Sequence, residues 1–157
     1  MSLVVSIQKE IVLNSKVNEK STAIIFLVIS IIAATIISPK NIYFLGNFVY
    51  YWLPQAIVFI LLFIFKLRLA VISGTAIALT LSLIRYSLFK DSMAWLGYIF
   101  IIPVGFLSAL IYGLITKSKI STPYYNVIVA STVCILIGMG IVQIILCSTV
   151  FYCGWYL

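Results

Sequence analysis

Residues 56–82 read AIVFILLFIFKLRLAVISGTAIALTLS. Two cations, Lys66 and Arg68, divide an otherwise uncharged apolar run. An unbroken helix over residues 48–88 would run about 60 Å at 1.5 Å per residue, twice a hydrocarbon core of ~30 Å. It would also hold Lys66 and Arg68 near mid-membrane, at about 2.5–3.5 kcal/mol each on insertion scales. Two helices joined by a tight turn put both charges at the membrane surface instead. The stretch is therefore read as a transmembrane hairpin, and the span count rests on it: five if 66–68 turns, four as the fallback.

Working outward, apolar runs cover about 21–38, 48–65, 69–88, 94–116 and 125–152. Each is near the ~20 residues a crossing needs. Ser21 or Thr22 is placed to cap the first run, and Pro39 to stop it. The expected fold is an all-α polytopic transmembrane bundle over 21–157. Residues 1–20 form a cytoplasmic head, read either as an amphipathic surface helix (Leu3, Val4, Ile7, Ile11) or as a flexible tail. The head lacks the pattern of a cleaved signal peptide, so the first run is expected to stay as an anchor.

Composition agrees with a bilayer as solvent. Of 157 residues, 64% are hydrophobic and 8% charged, with a mean hydropathy of +1.26. Soluble domains are about 45–50% apolar and 25% charged, so a soluble globule, a disordered chain and a disulfide scaffold are all excluded. The net charge is +7, but the cations stand singly or in pairs between apolar runs. That is an orientation signal, and no nucleic-acid partner is expected.

Seven of the ten Lys and Arg fall in the head and in the second and fourth connections, with three on the other side. The positive-inside rule then puts the N-terminus in the cytoplasm and the C-terminus outside. Tyr and Trp gather at the expected outer ends, from Tyr43 to Trp52, at Tyr86, Trp95 and Tyr98, and from Tyr152 to Tyr156. This is the interfacial belt of amphipathic rings.

Small residues recur every fourth position in four runs: Ser30, Ala34 and Ser38; Ala70, Gly74, Ala78 and Ser82; Gly105, Ala109 and Gly113; Ala130, Cys134 and Gly138. Such stripes let helix backbones approach closely in lipid. Gly74, Ala78, Gly105, Ala109, Gly113 and Gly138 are accordingly the candidate helix-packing or partner-interface residues. Gln55, Gln143 and Arg85 are the candidate polar or lipid contacts. Gln143 is expected to hydrogen-bond across the bundle, and Arg85 to snorkel outward with Asp91 as a counter-ion. Pro54 and Pro103 are expected to bend their helices. Cys134, Cys147 and Cys153 lack redox or metal spacing and are read as free thiols.

Catalysis needs groups this chain does not carry. There is no His, hence no Ser-His or Cys-His pair and no imidazole ligand. The acids are Glu10, Glu19 and Asp91, and none sits within an apolar run as a proton-coupled carrier would place it. No enzyme, cofactor or metal is expected. The reading is a small non-enzymatic integral protein acting by helix–helix interaction with another membrane protein or with itself. An accessory subunit fits, as does an immunity-type protein against a pore-forming toxin. Brevity and short connections point to a bacterial inner membrane. The alternative is a small oligomeric channel or carrier lined by Gln143, Asn126, Ser131, Thr132 and the Pro103 bend.

Overall fold

The computed structural model describes residues 2–88, 94–117 and 122–149, with side chains from residue 19 onward except those of 94–96 and 149. Among these residues there are five helices: α1 (Ser2–Ile37), α2 (Phe44–Ile64), α3 (Leu69–Ser87), α4 (Ala94–Lys117) and α5 (Tyr124–Thr149). Each contains a stretch long and apolar enough to cross a membrane. The chain is an all-helical, multi-pass membrane protein by length and composition.

The boundaries follow the sequence except in two places. Head and first span form one 36-residue helix, with no break and no cap at Ser21 or Thr22. At 1.5 Å per residue it is about 54 Å long, so one end extends well beyond a single crossing. Polar residues interrupt the apolar run there without breaking the helical hydrogen-bond ladder. The helix stops at Ile37, where Pro39 cannot continue it. Next, α2 begins at Phe44, a turn earlier than hydropathy alone suggests. The expected end of α5 at Tyr152 lies outside the described residues, which show the helix to Thr149.

The hairpin at 66–68 is made by a helix terminus of defined chemistry. Phe65 is the last residue of the α2 cap, and Lys66 takes a left-handed φ of 51°. The Lys66 N–H then donates to the Phe63 carbonyl at 2.9 Å, and the Leu67 N–H to the Leu62 carbonyl at 3.3 Å. These two bonds are the Schellman pattern, which satisfies carbonyls left open at a helix end. Arg68 then caps α3, its carbonyl accepting from Val71 at 2.9 Å and Ile72 at 3.3 Å.

Leu67 is not exposed between its two charged neighbours. It is 6% exposed and fills the space in front of Gly113 on α4, where a Cβ would meet Leu67 Cδ1 at 2.6 Å. Arg68 turns the other way. Its guanidinium donates to Glu19 Oε1 on α1 at 2.7 Å and to the Thr122 carbonyl before α5 at 3.4 Å. One three-residue turn thus ties four helices together at this end.

The core is built around α3, which packs against all four other helices. It is also the least apolar span, with a mean hydropathy of 1.6. Ser73, Thr75 and Ser82 are buried along it. Each hydroxyl donates to the carbonyl four residues back, at 2.8–2.9 Å. Local bonding of this kind lets short hydroxyl side chains enter an apolar interior without a distant partner. The other four helices turn exposed Ile, Leu, Val and Phe outward, as lipid-facing surfaces do.

Candidate functional site

The small residues nominated from the sequence lie at internal seams. On α3, Gly74 meets α5: a Cβ there would strike the Ser131 hydroxyl and come within 2.8 Å of the Ile128 carbonyl. The close approach lets the Thr132 hydroxyl reach the Gly74 carbonyl at 3.2 Å while also donating to Ile128 O at 2.8 Å. On α4, Gly105 faces Met139 Sδ of α5 at 3.1 Å, measured from an ideal Cβ. Gly138 on α5 faces the Ser108 hydroxyl of α4, and Gly113 receives Leu67. Ala78 and Ala109 are fully buried.

Ala130 and Cys134, spaced to form a seam or a partner face with Gly138, do not pack inside the bundle. Both are exposed, while Val127, Ile128, Ser131 and Ile135 are buried. The seam of α5 against α3 runs one position further round the helix. Spacing by fours gives a stripe but does not say which neighbour it faces. Ser131 breaks the tie only once its contact with Gly74 is known.

The outward face of α5 carries Ala130 and Cys134 among exposed β-branched residues. Tyr125, Asn126, Val129, Ala130, Val133, Cys134 and Ile137 line a shallow groove of about 610 Å³. Its floor is small, its walls are β-branched, and Tyr125 and Asn126 close one end. Cys134 is a free thiol there.

The polar candidates separate. Gln55 is fully buried, accepts from the Ser30 hydroxyl of α1 at 2.7 Å and donates to the Tyr51 carbonyl at 3.3 Å. Gln143 is half-buried, and among the described residues Gln55 is the amide that bonds across helices. Trp52 Nε1, Thr80 Oγ1 and Tyr98 OH are buried without a hydrogen-bond partner. Tyr98 packs against Tyr86 with ring centroids 5.9 Å apart. Arg85 is exposed, and its expected counter-ion Asp91 lies outside the described residues.

The residues expected to line a channel do not share one face. Asn126 and Pro103 are exposed, Ser131 is buried in the α3–α5 seam, and Gln143 lies between these extremes. Both prolines lie inside helices that continue through them. Among the described residues, no three His, Cys, Asp or Glu side chains come together.

No known protein family, curated protein or solved structure matches this chain.

One thiol reading is corrected. Cys147 is disulfide-bonded and Cys134 is free, so the other half of the bond lies outside the described residues.

Proposed function

We propose that this protein is a non-enzymatic integral membrane protein that works by receiving a helix of another membrane protein on the outer face of α5. The groove over Ala130 and Cys134 carries the proposal. In lipid, helices gain most from close backbone approach over small residues, and internal packing leaves Ala130 and Cys134 uncovered. Asn126 at the groove's end offers an amide for an interhelical hydrogen bond. An accessory subunit and an immunity-type protein that blocks a pore-forming toxin both fit this mode of action. The scatter of Asn126, Ser131, Gln143 and Pro103 over different faces favours it over an oligomeric channel or carrier.

The same reading places the chain in a bacterial inner membrane, with the N-terminus in the cytoplasm. Charge asymmetry supports that orientation. So does a disulfide at the far end of α5, because disulfides persist on the oxidising side of a membrane.

A benzophenone attached to Cys134 in native membranes tests the docking face. We expect an adduct with one foreign membrane protein. It should be lost when Ala130→Phe fills the groove and kept when Ile111→Phe alters an exposed position on α4. Adducts with lipid alone, or with a second copy alone, overturn the proposal.

A further inference from the structure

We infer that the end of the bundle carrying the 66–68 turn binds an anionic phospholipid, with the headgroup phosphate seated among Lys20, Lys66 and Lys117. The inference is independent of the α5 groove. The contacts already described put the three lysines at the same end of the bundle. Lys20 follows Glu19, whose carboxylate is 2.7 Å from the Arg68 guanidinium. Lys66 lies two residues before Arg68 in the same turn. Leu67 sits against Gly113, and Lys117 is one helical turn, about 6 Å, beyond it.

All three lysines are exposed. Glu19, the acid beside them, is already taken by Arg68. The patch therefore presents cations that no described carboxylate neutralises. Its position supplies the partner. α2 ends at Ile64 and α3 starts at Leu69, so Lys66 stands at headgroup depth, with Lys20 and Lys117 at the same end of the bundle. Anionic lipids attract such clusters at a membrane surface.

Lys66 adds a second argument. Its φ of 51° is a conformation glycine holds without steric cost and other residues hold with some. Glycine would close the turn with less strain, whereas lysine puts a cation there.

That strain makes the test clean. The full-length chain, purified in a neutral detergent, is titrated with dioleoylphosphatidylglycerol, with dioleoylphosphatidylcholine and with inorganic phosphate. Bound lipid is counted by native mass spectrometry, and Tm is followed in parallel. Phosphatidylglycerol should be retained and should raise Tm, while the other two should do neither. Lys66→Gly should keep or raise Tm without lipid yet weaken phosphatidylglycerol binding by roughly fivefold, the worth of one lysine near an anionic surface. Lys20→Gln and Lys117→Gln should each do the same, and Lys40→Gln at the opposite end should not. Equal retention of the two lipids, or unchanged binding in the triple variant, overturns the inference. A matching Tm rise with inorganic phosphate replaces the lipid by a soluble anion and overturns it as well.

Discussion

Gly74 and Gly46 are both helical glycines in apolar spans, and they predict opposite responses to the same change. A Cβ on Gly74 meets the Ile128 backbone, which cannot swing aside, whereas one on Gly46 meets nothing within 4 Å. Gly74→Ala should therefore destabilise by about 1–3 kcal/mol through overpacking. Gly46→Ala should stabilise by up to about 1 kcal/mol through helix propensity. Tm in detergent reads both, and equal effects would contradict the α3–α5 approach. The buried hydroxyl of Tyr98 gives a second contrast. It lies by the Gln55 side chain without a well-formed hydrogen bond among the described residues, so Tyr98→Phe should change Tm little. Gln55→Leu strands the Ser30 hydroxyl and should cost about 0.6–2 kcal/mol. The sequence exposed the small residues but not this contrast, because a glycine's worth depends on which backbone lies opposite. Gln55 and Gln143 illustrate the same limit: both are amides in apolar runs, and depth along the chain does not reveal which has a hydroxyl facing it.

At the scale of elements, the 66–68 turn was legible from two cations in an apolar run. What Leu67 does there was not, since nothing local announces that it enters the space left by a glycine 46 positions later. Arg68 was read as a surface charge, yet it joins α1 to the segment before α5 through two acceptors. A planar guanidinium can hold a carboxylate and a carbonyl together, and an ammonium holds them less well. Arg68→Lys should therefore recover little of the stability lost in Arg68→Ala. A double-mutant cycle with Glu19→Gln should give a coupling above the ~0–1 kcal/mol typical of exposed pairs, because both side chains are over four-fifths buried. A coupling near zero would reduce the ion pair to a surface feature. The length of α1 escaped the sequence for another reason. Hydropathy marks where a helix meets lipid, not where its hydrogen bonding begins.

Over the whole molecule, composition and run length were enough for five crossings, and they could not assign neighbours. Orientation has a direct test. In a Cys134→Ser background, a membrane-impermeant maleimide applied to sealed cells should label nothing until a reductant is added, and then label the end of α5. Labelling only in inverted vesicles would reverse the topology.

Burying the least apolar span at the centre has a consequence for how the protein is made. The ribosome delivers α3 third, with its serines and threonines, before α4 and α5 exist to cover it. Until they arrive, α1 and α2 are its only neighbours within the chain, and α5 supplies the hydroxyl that answers Gly74. A nascent chain halted after Ser87 would leave that side of α3 against lipid. Biogenesis of this protein should thus depend on an insertase that shelters the half-built intermediate until the last helix closes it.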